Sequence, residues 1–256
     1  MIDERAIIHP SAKLAKGVTV GPGTIIGANV EIGENTWIGP YVVIEGPTTI
    51  GKNNKIFQFA SVGDEPQDIT YKGEPTRLEI GDNNIIREYC MISRGTVKGG
   101  GLTKIGNNNF LMAYAHIGHD CMLGNNIIMV SYAALSGHVI VDDYVNIGAY
   151  AAIHQFCHVG AYAFIARATY VTKDVLPYLM IAGQNTSAFG INTVGLRRRG
   201  FTSEAIDTLR RAYKVIFRKG FTVQQALTEL ELMQNECPEL IPMIDALNKS
   251  TRGIVR

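Results

Sequence analysis

Five of the six histidines in this 256-residue chain, His116, His119, His138, His154 and His158, crowd into one short stretch. A lone histidine usually does no more than satisfy a local hydrogen bond. Five together invite two kinds of chemistry: proton transfer near neutral pH, which imidazole suits by its ordinary pKa, and zinc binding, for which neutral imidazole is a good ligand. Asp120 follows His119 directly. A carboxylate there could raise the basicity of the imidazole and fix its tautomer, although aspartate is equally at home as a turn residue.

Whether these side chains meet depends on the elements that carry them. An aliphatic residue returns every six positions in three unbroken runs, from Ile8 to Val62, from Ile80 to Ile92 and from Ile105 to Val171. An α-helix cannot keep such a pattern on one side, because six residues leave successive apolar positions about 120° out of phase. Simple strand alternation is absent as well. A coil with three flat sides satisfies the pattern: three six-residue strands make one triangular turn of 18 residues, with each aliphatic side chain on the axis. Glycine often follows the core position, as in Val20-Gly21, Ile26-Gly27 and Ile32-Gly33, and is expected to turn the corners.

The 18-residue winding turns residue numbers into neighbours. Ile117, Leu135, Ile153 and Val171 share one side of the triangle. His119, His138 and His154 lie two, three and one residues beyond the first three, so they gather along one edge, and His116 and His158 fall near the same strip. Gly137 and Gln155 stack in the column of His119. A glycine beside a base leaves its N–H open to a substrate oxygen, which is what stabilising a developing oxyanion requires.

Two segments, 63–79 and 93–104, interrupt the hexads; insertions on a solenoid form loops on one face, often the binding face. The repeat ends near Gly183. Ser203-Glu204 reads as a helix start, Thr222-x-x-Gln225 as a capping box, and Gly220 as the end of the helix between them. The expected organisation is a parallel β-helix over residues 1–185 and a helical domain over 186–256 that covers the open end of the column.

Composition narrows the partners. With 24 basic and 23 acidic residues the net charge is +1, which excludes a nucleic-acid coat and a polyacidic tail. No window holds ~18 uninterrupted apolar residues and the first residues lack a secretion pattern, so a cytoplasmic protein without a transmembrane segment is expected. Cys90, Cys121, Cys157 and Cys237 form no Cys-x-x-Cys pair and fit reduced structural thiols.

Several strings are more specific than the hexad: His116-Ile-Gly-His119-Asp120-Cys121, Ser136-Gly137-His138, Ile153-His154-Gln155-Phe156, Phe189-Gly190-Ile191-Asn192, Gln67-Asp68, Gly73-Glu-Pro-Thr-Arg77, Arg94-Gly-Thr-Val and Ser250-Thr-Arg-Gly. Together they resemble the UDP-N-acetylglucosamine O-acyltransferases, a hexapeptide-repeat family, over nearly the whole chain. The resemblance implies a left-handed winding, which periodicity cannot supply, since parallel crossovers are usually right-handed. It implies a homotrimer with sites between neighbouring columns, and transfer of an (R)-3-hydroxyacyl group from acyl carrier protein to the sugar 3-position in the first step of lipid A synthesis.

Carried across by position, the resemblance makes His119 the general base, Asp120 its orienting group and the Gly137 N–H the oxyanion donor, with no covalent acyl-enzyme. Gln67, Asp68, His116, His138, His154 and Gln155 would line the sugar and acyl sites. Asn192, Arg198 and Arg199 would meet a diphosphate or the carrier's phosphopantetheine, and the run Arg197-Arg198-Arg199 could attract an acidic carrier. No cofactor and no metal is implied beyond that phosphopantetheine.

Three positions depart from the family pattern. Thr70 stands where a lysine is usual, with Lys72 two residues on; Val194 replaces a glutamate; and Arg167 stands where some members carry glycine in the acyl groove. A 3-amino sugar acceptor therefore stays open, as does an Arg167 that limits acyl length or turns to solvent. Three rivals complete the field. A zinc enzyme like the γ-class carbonic anhydrases would use the histidines as ligands, a catalytically silent scaffold would not need them, and the related N-acyltransferase carries an N-terminal domain for which the hexads, starting at Ile8, leave no room.

Overall fold

The computed structural model describes residues 1–183 and 185–256. Its strands, mostly two residues long, stack into three sheets of nine, eight and ten strands. The first face runs from Ile7–Ile8 to Tyr170–Val171, the second from Lys13–Leu14 to His158–Val159, and the third from Thr19–Val20 to Ser187–Ile191. Through the coils up to Val171 strand pairing is parallel and keeps the 18-residue step outside the insertions, as in Ile7 beside Ile25 and His116 beside Ala134. The two insertions lengthen the step without breaking the ladder: Ser61 pairs with Met91, and Met91 with His116.

One residue of each strand faces the axis. Apart from Ile8 and Leu14 at the open first coil, every hexad position is buried, from Val20 to Val171. Each fully buried isoleucine contributes about 1.5–3 kcal/mol by leaving water, and the stack of them is the force that winds the column. Polar groups inside are satisfied between coils. Asn84 Nδ2 donates to Asn54 Oδ1 at 3.0 Å, and the backbone N–H of Asn109 donates to Asn84 Oδ1 at 2.9 Å. The four cysteines are free and buried.

The glycines that follow core positions do not turn the corners. Corners are turned three residues after the core position, by residues such as Tyr41 (φ 55°), Asn53 (φ 58°), Asp120 (φ 60°) and His138 (φ 61°). The glycines one residue after the core sit where successive coils approach: a Cβ on Gly33 would stand 2.6 Å from the carbonyl carbon of Gly51. Stacking offsets the strain of left-handed corners. Tyr89, Tyr114 and Tyr132 lie face to face at centroid spacings of 4.8 and 4.6 Å.

After Val171 the winding ends in an antiparallel pair, Leu179–Ala182 with Ser187–Ile191, at the edge of the third face. The sheet therefore runs past residue 186, and the α-helices begin only at Thr193. They are α1 (Thr193–Arg198), α2 (Ser203–Phe217), α3 (Val223–Met233) and α4 (Ile241–Lys249). Thr202 caps α2, and the Thr222–Gln225 capping box opens α3 with both of its hydrogen bonds. Buried Leu209, Ala212 and Ile216 of α2 join the same apolar core as Leu179 and Ile181, so the helices seal the end of the column. No helix among the described residues is long and apolar enough to cross a membrane.

Candidate active site

The corner between the first and second faces carries the residues singled out by spacing. His119 and Asp120 lie on one coil, Gly137 and His138 on the next, and Gln155 and Phe156 on the one after. His119 Nδ1 and Asp120 Oδ2 are 2.8 Å apart. Burial works against ionisation of Asp120, but hydrogen bonds from His119 and Thr96 outweigh it and hold the carboxyl below its ordinary range. An ionised carboxylate only accepts, so Nδ1 carries a proton, and in the neutral imidazole Nε2 is then the atom with the free lone pair. The His119 ring lies directly over Gly137: a Cβ there would stand 2.5 Å from Cε1 and 2.7 Å from Nε2. The Gly137 N–H enters no hydrogen bond among the described residues.

His138 meets the His119 ring edge-on at 5.1 Å and stacks on Phe156 at 4.4 Å. Its Nε2 is 3.7 Å from Asp120 Oδ2. Burial lowers its pKa, and the neighbouring His119 adds to that while Asp120 opposes it. His116, half-buried on the first face, is also pushed down by burial and by His119. Both imidazoles are thus kept neutral near pH 7.

The insertions close over this corner. Thr96, from 93–104, donates to Asp120 from its N–H (2.8 Å) and its hydroxyl (2.6 Å), and Thr103 Oγ1 accepts from the Asp120 N–H at 2.8 Å. Arg94 ties the insertions together, donating to the Gly63 carbonyl at 2.9 Å and to the Tyr71 hydroxyl at 3.1 Å. On the 63–79 loop, Gln67 donates to the Met91 sulfur at 2.9 Å, one strand from His116. Asp68 accepts from the Thr70 N–H (2.8 Å) and hydroxyl (2.9 Å), and these, with the charges of Lys98 and His119, lower its pKa. Thr96, Thr103 and Lys98 were not found by spacing. Thr96 stood in the quoted Arg94-Gly-Thr-Val string, whereas the one signal for Thr103 and Lys98 was membership of an insertion.

The remaining candidates divide. Nδ1 of His154 lies 3.1 Å from the Gln155 carbonyl and 3.4 Å from an Arg252 nitrogen, and Gln155 is exposed one coil beyond Gly137. His158 does not join the strip: it lies on the second face with its Nε2 2.9 Å from Asp142 Oδ1, and the nearby carboxylate raises its pKa. Arg167 is exposed at the corner between the third and first faces. Asn192, Arg198 and Arg199 lie on yet another edge, between the second and third faces, where Arg199 covers the Tyr144 ring at 4.7 Å. With Tyr162, Phe164 and Val194 they line a groove of roughly 760 Å³. Both ends of the Asn192 amide are used within the chain, Oδ1 accepting from the Gly195 N–H to cap α1 and Nδ2 donating to the Tyr162 carbonyl. Within one chain this edge does not meet the histidines.

Known proteins resemble the whole arrangement. Residues 174–255 match the family model described as "Udp N-acetylglucosamine O-acyltransferase; Domain 2", and residues 1–33, 29–64 and 102–137 match the bacterial transferase hexapeptide model. The acyl-[acyl-carrier-protein]--UDP-N-acetylglucosamine O-acyltransferases of Stutzerimonas stutzeri and Thermodesulfovibrio yellowstonii are 51% and 47% identical, each covering 100% of this chain and 99% of their own length. The UDP-N-acetylglucosamine acyltransferase structure from Francisella novicida superposes with a TM-score of 0.98 at 48% identity, covering 100% of this chain and 94% of that one. The one from Bacteroides fragilis gives 0.97 at 40%, covering all of both chains. The winding is left-handed, as the resemblance implied. With likeness of this degree from end to end, the chain belongs to the UDP-N-acetylglucosamine O-acyltransferase family of hexapeptide-repeat proteins.

Proposed function

We propose that this protein transfers an (R)-3-hydroxyacyl group from acyl carrier protein to the 3-hydroxyl of UDP-N-acetylglucosamine, the first step of lipid A synthesis. The observation that carries the reading is the His119 ring, held by Asp120 and lying on Gly137. In this mechanism His119 Nε2 takes the proton of the sugar hydroxyl as its oxygen attacks the thioester carbon. The Gly137 N–H stabilises the oxyanion, and the resulting imidazolium protonates the departing thiolate. Asp120 keeps the tautomer and offsets the charge on the imidazolium. A covalent acyl-enzyme is not needed, and the nearest thiol is unsuited to one: burial pushes Cys121 up to about 12.

Asp68 and Gln67 on the loop above the corner would hold the sugar, with His116, His138, His154 and Gln155 along the acyl and sugar path. Arg198 and Arg199 would bind a phosphate of the nucleotide or the carrier's phosphopantetheine. Because they sit on a different edge from His119, a complete site would take one edge from each of two columns, which supports a homotrimer. The division into a catalytic β-helix and a helical unit that brings these arginines to the interface, and a cytoplasmic location beside the carrier protein, belong to the same reading.

A zinc reading has one observation of its own, that His119, Asp120 and His138 offer ligand atoms within 4.8 Å of one another. The hydrogen bonds that Asp120 already accepts from Thr96 and His119 favour an orienting carboxylate over a ligand. The deciding experiment incubates purified protein with a series of 3-hydroxyacyl carrier proteins and with UDP-N-acetylglucosamine or its 3-amino analogue, and identifies products by mass. An O-acylated sugar nucleotide is expected, with His119→Ala at least ~100-fold slower in an intact assembly. Absence of product with every pair, together with stoichiometric zinc in the purified protein, would overturn the proposal.

A further inference from the structure

The family pattern places a lysine two residues after the aspartate of the acceptor loop, and this chain has Thr70 there. The structure puts a different lysine at that spot. Lys98, on the one-turn helix Val97–Gly99 of the other insertion, donates from Nζ to Thr70 Oγ1 at 2.9 Å. Thr70 in turn donates from its hydroxyl to Asp68 Oδ1 at 2.9 Å, so ammonium, hydroxyl and carboxylate form one chain.

Neither end of that chain is placed by chance. The turn carrying Lys98 is opened by Thr96, whose side chain accepts from the Gly99 N–H at 3.2 Å while its hydroxyl is bonded to Asp120. Gly99 packs so tightly on the Asp120 carboxyl that no side chain would fit there. The backbone of Lys98 is therefore pinned to the same carboxylate that orients His119. On the other side, Arg94 bonds the Tyr71 hydroxyl and so fixes the loop that carries Thr70. Lys72, the lysine nearer in sequence, lies beyond Thr70 on the stretch where its N–H bonds Glu74 at 2.8 Å.

We propose that Lys98 is the cation of the acceptor subsite, supplied from the second insertion in place of a lysine at position 70, and that it binds an anionic or hydroxyl oxygen of the sugar nucleotide. This inference rests on the function proposed above. An exposed ammonium on a flexible stem costs little to redirect from the Thr70 hydroxyl to a phosphate, which exchanges a neutral acceptor for an anionic one. Thr70, already a donor to Asp68, then serves as the rest for Lys98 when the site is empty.

The test is steady-state kinetics of the full chain with acyl carrier protein as donor and UDP-N-acetylglucosamine varied. Lys98→Ala should raise KM for the sugar nucleotide about tenfold or more, with KM for the acyl donor unchanged, because a charged hydrogen bond in binding is lost. Lys98→Arg should recover part of the affinity. The double change Thr70→Lys with Lys98→Ala, which returns the cation to the other loop, should bring the sugar-nucleotide KM back toward the parent value. A Lys98→Ala KM within twofold of the parent, or an increase that the double change fails to reduce, would overturn the assignment of Lys98. Failure of the unaltered protein to acylate the acceptor at all would instead overturn the proposed function.

Discussion

Gly137→Ala adds one methyl group to the column and tests the geometry of the corner directly. Gly137 has no left-handed φ, so alanine meets no backbone strain there, and its N–H remains in place. The new Cβ would stand 2.5 Å from His119 Cε1 and 2.7 Å from Nε2. Carbon atoms rest about 3.5–4.0 Å apart, so the ring must retreat by about 1 Å. Its 2.8 Å bond to Asp120 Oδ2 would then stretch beyond useful hydrogen-bonding range, or the ring would tilt and carry Nε2 off the line of the proton it must take. A displacement of that size at a reacting atom costs on the order of 100-fold in rate, about 2.7 kcal/mol of barrier. The assay is kcat with saturating acyl carrier protein and sugar nucleotide, beside a thermal melt. The expected result is a fall in kcat of about 100-fold with Tm little changed. A variant retaining kcat within about threefold of the parent would refute the placement of His119 as the base above Gly137.

The assembly can be tested by mixing. His119→Ala and Arg198→Ala chains, each nearly inactive alone, should regain activity when unfolded and reassembled together, because the two residues lie on different edges and a site between columns can draw one intact edge from each. No recovery in a mixed trimer confirmed by mass would contradict sites shared between subunits. The His158–Asp142 pair predicts a pH-dependent contribution to stability. The Asp142 carboxylate raises the imidazole pKa, so the stabilisation is fully present below the ordinary histidine value of about 6.5 and fades as pH rises through the raised one. Asp142→Asn should therefore lower Tm at pH 6 and leave it nearly unchanged at pH 9; an equal drop at both would show that the ion pair is not the cause.

Much of this protein is legible from residue numbers alone, because a solenoid converts sequence separation into spatial neighbourhood by a fixed step. Ile117, Leu135 and Ile153 differ by 18, and the structure stacks them on one face. The same arithmetic sets His119 beside Gly137, and each coil needs only its neighbours to reproduce the relation. Corner conformation was not legible. Glycine's freedom suggested the glycines after core positions as the corner residues, whereas most left-handed corners are held by aromatic and amide residues three places on, and the glycines after core positions sit where coils touch.

What escaped the repeat was decided by tertiary contacts without a period. Thr96 reaches Asp120 across 24 positions and Lys98 reaches Thr70 across 28, joining insertions that carry no aliphatic repeat. Nothing local in either segment specifies those meetings; they exist because Arg94, Gly99 and Asp120 pack the loops onto one corner. In the same way, the resemblance offered Arg198 and Arg199 as phosphate ligands, but only the path of the chain after the last coil placed them on the edge between the second and third faces. The sequence by itself thus determined the column and the imidazole over its glycine, since both follow from a local repeat. The tertiary structure decided how the loops complete the acceptor side and which edge carries the arginines, since those depend on packing between segments far apart in the chain.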